Sequence, residues 1–199
     1  MEELFQMMHY DLFAHLSRVE LYVRLFCIII AESGYQNVSK SSCLLLGKAA
    51  FFHDIGKIRI PQNILIKPGK LTEEENSIVR EHPKYAKEIL MDMKSSPLFS
   101  KDPELFNLAV AASLFHHEWW DGTGYPFGIA GQDIPCIARI TSICDAFDAI
   151  THGRPYLNAR SVGDAFYEIK KGSGSQFDSI LSKLFVQHGD IILRYTLMP

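Results

Sequence analysis

The chain has 199 residues and a net charge of −3, with 47% hydrophobic and 22% charged residues, which is typical of one folded domain. This composition excludes an intrinsically disordered chain and a broad basic surface for a nucleic-acid polymer, and the most apolar stretch, 25–31, is shorter than the roughly 20 residues that span a membrane. The four cysteines form no CxxC pair and no secretory signal is evident, so we expect reduced thiols and a cytoplasmic location.

The spacing of apolar residues is helical nearly throughout. In chain order it predicts helices at about 2–31, 38–54, 72–93, 102–117, 134–151, 161–171 and 177–195. A capping box formed by Thr72 and Glu75 opens the third of these helices. Runs of alternating apolar and polar residues are scarce, so the sequence offers little from which strands could form.

Two segments between the predicted helices are loops. Residues 60–71 contain two prolines and a glycine, and residues 121–135 contain four glycines and two prolines. The helical pattern resumes promptly on both sides of each loop, and no internal repeat is present, so neither loop is typical of a linker between domains. We therefore predict one all-α domain, a helical bundle over 1–199 with a long glycine-rich loop.

Histidines and aspartates concentrate on several of these helices and at their ends. The candidates are Asp11 and His15 on the first helix, the adjacent pairs His53–Asp54 and His116–His117 at helix ends, and His82 and Asp145 on two further helices. Adjacent residues on a regular helix diverge by about 100°, so such a pair cannot chelate one ion as residues four apart can. At a helix end the pair can instead bind two neighbouring ions, or one of the two can bind an ion and the other support a ligand of that ion.

This arrangement favours a binuclear metal site in the core of the bundle. Imidazole and carboxylate donors without thiolate indicate iron, manganese, nickel or zinc rather than a structural zinc site. A lone histidine on an amphipathic helix is more often an ordinary core or surface residue. We assign that role to His9, His152 and His188.

Longer motifs surround the same residues. They are HDIGK at 53–57, HHE at 116–118, DGTGYP at 121–126, and a segment at 134–156 that contains ARI, DAFDA and RPY. In order and spacing these motifs resemble the HD-GYP group of the HD metal-dependent phosphohydrolases, which hydrolyse cyclic di-GMP. The resemblance covers about 15–177 and implies an all-α bundle whose glycine-rich loop lies beside a metal site.

The resemblance implies a set of metal ligands in which Asp54 bridges two divalent ions. The ligands are His15, His53, Asp54, His82, His116, His117 and Asp145. Asp11 stands where family members with a third metal carry Glu, which makes it the candidate ligand of a third ion. Two or three ions are therefore expected, with iron or manganese as the first candidates and nickel or zinc as alternatives.

The resemblance also implies residues that hold substrate. Lys57 and Arg154 match positions that bind substrate phosphate, and Tyr125 belongs to a loop that closes on the substrate. Asp54 and Lys57 are the expected catalytic residues, because a hydroxide bridging two metals is a strong nucleophile and a cation offsets the charge that grows on phosphorus. We expect Asp148 to support a ligand rather than to bind metal, and Arg154 can also pair with it.

The predicted function is hydrolysis of cyclic di-GMP to pGpG, GMP or both. Leu157 replaces a basic residue of the family and Trp119 replaces a charged one, so the residues that hold substrate depart from the family pattern. Trp119, Trp120 and Tyr125 could stack a guanine, although core packing is favoured for Trp120. Two alternatives stay open: hydrolysis of another nucleotide or phosphoester, and a non-catalytic module that binds cyclic di-GMP or a GGDEF-type protein partner.

Overall fold

The computed structural model describes residues 10–35, 38–152 and 159–196. Its α-helices, numbered in chain order, are α1 Tyr10–Ser33, α2 Cys43–Ala50, α3 Gln62–Leu65, α4 Glu73–Val79, α5 His82–Asp92, α6 Pro97–Ser100, α7 Pro103–Phe115, α8 Cys136–His152, α9 Val162–Lys171, α10 Ser179–Gln187 and α11 Gly189–Thr196. No strand forms within these residues, where an isolated bridge joins Ser173 and Phe177. The predicted all-α fold class is confirmed, and the extent of the domain over 1–199 stays a prediction.

Two clusters of buried side chains hold the helices together, and α1 contributes to both. One cluster includes Phe26 of α1 and Phe147 of α8 and extends over α9, α10 and α11. The other includes Leu16 of α1, Phe52 of the turn after α2, and Leu90 of α5, and it extends over α6 and α7. Fully burying one such side chain contributes about 1.5–3 kcal/mol. The long helix α1 therefore joins the two halves of the bundle.

The predicted helix over 72–93 is in fact two helices, α4 and α5. Its capping box is present as predicted, because Thr72 accepts the N–H of Glu75 and the Glu75 side chain accepts the N–H of Thr72. Pro83, in the first turn of α5, has no backbone N–H, so it can begin a helix but interrupts one that arrives from α4. The interruption puts His82 at the first residue of α5, so that this predicted ligand stands at a helix end and not within a continuous helix.

The second predicted helix ends early, because α2 gives way to turns that carry His53 and Asp54. A 3-10 turn at Ile55–Arg59 follows and packs against α5. At Gly56 a Cβ atom would lie 1.9 Å from the carbonyl oxygen of His82, so only glycine permits this approach. The close packing brings the turn that carries Asp54 against the start of α5.

The last predicted helix is also divided, into α10 and α11. Asp178 caps α10, since its carboxylate accepts the N–H of Ile180 at 2.9 Å. The predicted helices at 102–117, 134–151 and 161–171 match α7, α8 and α9 to within two residues at each end. Within the described ranges, none of these helices has the length and hydropathy needed to cross a membrane.

Candidate metal centre

The bundle brings the seven predicted ligands together as two groups that share one carboxylate. Half-site A consists of Asp54, His82, His116 and His117, and half-site B consists of His15, His53, Asp54 and Asp145. In each group the potential ligand atoms all lie within 4.8 Å of one another. This is the geometry of two adjacent cation sites, and Asp54 belongs to both.

Half-site A is built from helix ends. His82 begins α5, and His116 and His117 follow the end of α7. Because the helix ends at Phe115, the two adjacent imidazoles do not diverge as they would on a regular helix, and both enter half-site A instead of dividing between two ions. The Nδ1 atom of His82 lies 2.7 Å from the carbonyl of Val79, and Nδ1 of His116 lies 3.0 Å from that of Ser113. Carbonyls only accept hydrogen bonds, so each Nδ1 carries the proton and leaves the Nε2 lone pair free to bind an ion.

Half-site B is built from three elements that are distant in sequence. His15 lies on α1, His53 in the turn after α2, and Asp145 on α8. The two histidine Nε2 atoms are 3.2 Å apart, and the Asp145 Oδ1 atom lies 3.4 Å from that of His15. His53 donates its Nδ1 proton to the carbonyl of Ala50 at 2.9 Å, so its Nε2 also points into the site.

Asp54 is fully buried and faces both half-sites. Its Oδ1 atom lies 3.0 Å from Nε2 of His82 yet accepts no hydrogen bond, whereas its Oδ2 atom lies 3.4 Å from Nε2 of His15 and accepts a hydrogen bond from Lys57. A buried acceptor without a partner costs about 1–3 kcal/mol, and more when it is charged. The unpartnered oxygen beside neutral imidazole donors therefore fits a cation in half-site A.

The pKa values of the two half-sites differ. Burial lowers the pKa of His82, and burial with the neighbouring imidazoles holds the pKa of His117 well below its ordinary value. Burial alone would also lower the pKa of His15, but Asp148, Asp54 and Asp145 raise it to about 9. Half-site A therefore presents His82 and His117 in the neutral, ligating form, while His15 of half-site B holds a proton at neutral pH.

Asp54 itself is held in its charged form. Burial alone would raise the pKa of Asp54, but the charge of Lys57 and the imidazoles of His53 and His82 keep it well below its ordinary value. The Lys57 side chain is 16% exposed, which leaves its ammonium group between the buried carboxylate and solvent. Lys57 thus lies at the centre, and its expected contact with substrate phosphate stays a prediction.

A network of side chains holds the Nδ1 side of the His15 ring. The carboxylate of Asp148 lies 2.7 Å from Nδ1 of His15, and Arg18 donates to both its oxygens at 2.6 and 2.9 Å. His152, which we expected to be an ordinary core or surface residue, lies 3.1 Å from the same carboxylate. Asp148 therefore contacts a predicted ligand and belongs to neither half-site, and its role in supporting a bound ion stays a prediction.

Arg18 is a residue that the sequence analysis missed. It follows His15 by three residues on α1 and so lies on the same helix face, which is a signal that could have identified it. The pairing expected between Arg154 and Asp148 cannot be compared, because Arg154 and Leu157 lie outside the described residues. The same applies to the side chain of Asp11, although its backbone is part of α1.

The glycine-rich loop packs against the end of half-site A. The N–H of Tyr125 donates to the carbonyl of His117 at 3.1 Å, and the two rings stack with centroids 4.6 Å apart. A Cβ at Gly124 would lie 2.2 Å from the nitrogen of Trp119, so glycine is needed for this approach. Tyr125 thus contacts a ligand side chain, and its expected closure on substrate stays a prediction.

Glu118 fixes the far side of the same loop. Its buried carboxylate accepts the N–H groups of Phe127 at 2.7 Å and Gly128 at 3.0 Å. The sequence analysis placed Glu118 in a motif without giving it a role. Through these hydrogen bonds, the carboxylate directly after the histidine pair ties the loop to the turn that carries two predicted ligands.

The fold and the centre together define the class of protein. Histidine and aspartate side chains from several helices converge on two adjacent cation sites inside an all-α bundle, which is the arrangement that the HD resemblance implies. The family model described as HD domain matches residues 17–181, so the chain belongs to the HD domain family.

Two individual relatives show which members of the HD domain family the chain resembles in sequence. The chain is 38% identical over 174 residues to a probable cyclic di-GMP phosphodiesterase of Vibrio cholerae, covering 86% of this chain and 39% of the relative. It is 36% identical over 177 residues to a 3'3'-cGAMP-specific phosphodiesterase 2 of the same organism, covering 89% of this chain and 31% of the relative. These matches confirm the HD-GYP type of domain. The chain spans well under half the length of both relatives.

A solved structure supports the fold. Bd1817, an HDG"Y"P protein from Bdellovibrio bacteriovorus, superposes with a TM-score of 0.61 and 18% sequence identity. The match covers 88% of this chain and 52% of that one. At this level of identity the likeness concerns the helical architecture alone, which agrees with the predicted bundle.

Proposed function

We propose that this chain is a phosphodiesterase domain that hydrolyses cyclic di-GMP to pGpG, GMP or both, with divalent ions held by half-sites A and B. The observation that carries the proposal is the Asp54 carboxylate, which is fully buried, faces both half-sites and has one oxygen without a hydrogen-bond partner. Imidazole and carboxylate donors without thiolate suit iron, manganese, nickel or zinc, and we place iron or manganese first on the HD-GYP resemblance. Nickel or zinc, and a third ion at Asp11, remain as further predictions.

The protein's own groups prepare the reaction in two ways, and bound ions would add a third contribution. Backbone carbonyls and Asp148 hold the histidine Nδ1 protons, so that the Nε2 atoms converge. Bound ions would supply Lewis acidity for a phosphate oxygen and a lowered pKa for the attacking water. Lys57 adds a positive charge next to Asp54, where it can hold a phosphate oxygen and offset the charge that develops in the transition state.

The substrate has two candidates. Cyclic di-GMP is favoured by the name of the relative that shares 38% identity, and 3'3'-cGAMP by the name of the relative that shares 36% identity over a similar part of the chain. Both molecules are cyclic dinucleotides with two phosphodiester bonds, so one metal centre could serve either. We place cyclic di-GMP first and 3'3'-cGAMP second.

Two further expectations complete the proposal. The cytoplasmic location follows from the reduced cysteines, and Cys27, Cys43, Cys136 and Cys144 are free in the structure. A GGDEF-type partner would have the outer face of the glycine-rich loop available for contact. Copurification of the chain with a GGDEF protein tests that partner separately from catalysis.

The decisive experiment combines metal analysis with product analysis. Protein purified without oxygen and reconstituted with iron or manganese should hold about two ions per chain and convert cyclic di-GMP faster than 3'3'-cGAMP on chromatography. Asp54→Asn should abolish both, while Asp190→Asn, which alters an exposed carboxylate of α11, should change neither. Two bound ions with no turnover of either dinucleotide would leave the non-catalytic binding module as the better interpretation.

A further inference from the structure

A cavity of about 560 Å³ opens beside the metal centre. His117 of half-site A and Asp145 of half-site B both form part of its wall. The volume lies within the range of about 300–1,000 Å³ that is usual for sites of small molecules. A ligand in this cavity would therefore contact side chains of both half-sites.

Trp119 lines this cavity and leaves 38% of its surface exposed. Its carbonyl accepts the N–H of Gly122 at 2.9 Å, and the next residue, Trp120, donates its N–H to the carbonyl of Gln176 at 3.2 Å. Within the described part of the chain, no aromatic or cationic side chain stacks on the Trp119 ring. Hydrogen bonds thus hold the backbone at Trp119 and at the next residue, while the indole of Trp119 stays partly exposed at the cavity.

The two neighbouring aromatic residues, Trp120 and Tyr125, already contact other side chains of the protein through their rings. The ring of Tyr125 stacks on His117, and the Trp120 ring has the guanidinium of Arg139 at 5.6 Å from its centroid. Neither of these rings belongs to the cavity wall, whereas Trp119 does. Of the three aromatic residues that the sequence offers for stacking a base, Trp119 is therefore the one with a suitable position.

The rest of the wall suits a planar, uncharged group. Arg160 and Glu168 bond to each other at 3.2 Å, which offsets their charges at this site. Gln176 and Ser142 provide hydrogen-bonding groups, and an amide offers both donors and an acceptor to the edge of a base. Apolar side chains such as Ile150 complete the wall.

We propose that this cavity is a base subsite, in which the Trp119 indole stacks on one purine of a cyclic dinucleotide whose phosphate lies at the metal centre. The proposal rests on the proposed function, because that function puts the phosphate beside His117 and Asp145. A purine is favoured over a pyrimidine because its two fused rings cover more of the indole face. Trp119 is then a specificity-determining residue that acts on binding of substrate and not on the ions.

Steady-state kinetics test this role. Trp119→Leu should raise the KM for cyclic di-GMP roughly five- to a hundred-fold while kcat and metal content change little. Trp119→Phe keeps a smaller ring and should lie between Trp119→Leu and the unaltered protein. Turnover of methyl p-nitrophenyl phosphate, a phosphodiester without a purine, should be nearly unchanged. The matched control is Phe127→Leu, which removes an exposed aromatic side chain of the same loop that lines a different cavity.

Fluorescence tests the same contact without turnover. The chain has two tryptophans, so Trp120→Phe leaves Trp119 as its one indole. GMP should quench this fluorescence and inorganic phosphate should not. If GMP quenches while no phosphodiester is hydrolysed, the base subsite stands and the proposed function is wrong. If Trp119→Leu hydrolyses cyclic di-GMP with an unchanged KM, or GMP quenches only the protein that retains Trp120, the base subsite is wrong and the proposed function stands.

Discussion

Half-sites A and B share Asp54 but are held in place in different ways. In half-site A, the Nδ1 atoms of His82 and His116 bond to backbone carbonyls, that of Val79 at the end of α4 and that of Ser113 in α7. In half-site B, His15 depends on Asp148, which is 133 residues away in sequence and is itself held by Arg18. Backbone carbonyls therefore hold two histidines of half-site A and also His53 of half-site B. His15 of half-site B is instead held by side chains that single substitutions can remove without disturbing a helix.

The charge of the two half-sites differs as well. Half-site A combines three imidazoles with the shared carboxylate, whereas half-site B combines two imidazoles with two carboxylates. The extra carboxylate is Asp145, and together with Asp148 it raises the pKa of His15. The bundle thus pairs a site in which His82 and His117 are neutral with a more acidic site in which His15 holds a proton, and the four predictions below test this difference.

The largest effect is expected at the shared carboxylate. Asp54→Asn keeps the size of the side chain but removes its charge, so neither half-site retains its bridging ligand, and both ions should be lost together with activity. His82→Ala removes a ligand of half-site A alone and should leave about one ion per chain. Metal analysis after dialysis measures both results. An unchanged metal content in Asp54→Asn would contradict the bridging role.

A smaller effect is expected where the turn carrying Asp54 meets α5. In Gly56→Ala the added methyl would lie 1.9 Å from the carbonyl of His82, which the backbone can relieve only by moving half-site A. Such overpacking lowers the free energy of unfolding by about 1–3 kcal/mol or more. Gly163→Ala is the control, because its nearest neighbour would be the Ser161 hydroxyl at 3.6 Å. Equal denaturant midpoints for the two variants would show that this close packing is unimportant.

The sequence predicts the ligands better than their support. Five of the seven candidate ligands, all except His15 and His82, stand in the long motifs, and the pair His116–His117 coincides with a helix end that the apolar pattern marks. Arg18 could not be predicted with the same certainty, because its contact with Asp148 joins helices that are 130 residues apart. The break before Pro83 was also missed, because the apolar pattern continues across it. Proline is favoured in the first turn of a helix, so Pro83 in fact marks the start of α5.

The third prediction concerns half-site B alone. Arg18→Ala frees Asp148 to rotate away from His15, and loss of such a supporting contact typically lowers metal affinity about 10–100-fold. We expect one ion to be lost at low metal concentration while half-site A keeps its own. Arg24→Ala, an exposed arginine of the same helix, is the control. Equal weakening of both ions in Arg18→Ala would mean that Arg18 stabilises the bundle as a whole.

The smallest expected effect is the release of one proton when a metal ion binds in half-site B. Because the pKa of His15 is about 9 before metal binds, its proton is present at neutral pH and must leave when Nε2 binds an ion in half-site B. The pKa values of His82 and His117 are lowered, so these two residues of half-site A have no proton to release.

We take the ion of half-site A as the first to bind and the ion of half-site B, where His15 must lose its proton, as the second. Affinity for the second ion should rise by up to about tenfold per pH unit towards pH 9 and then level off, while affinity for the first ion should change little above pH 7. The raised pKa of His15 also affects the stability of the metal-free protein. It stabilises the fold fully below pH 6.5, and this contribution is lost as the pH rises through about 9. Calorimetric titration with manganese in two buffers of different ionisation enthalpy counts the released protons. Asp148→Asn removes the strongest contribution that raises this pKa, so it should reduce the proton count for the second ion. Release of a proton with the first ion instead would reverse the assignment of the two half-sites.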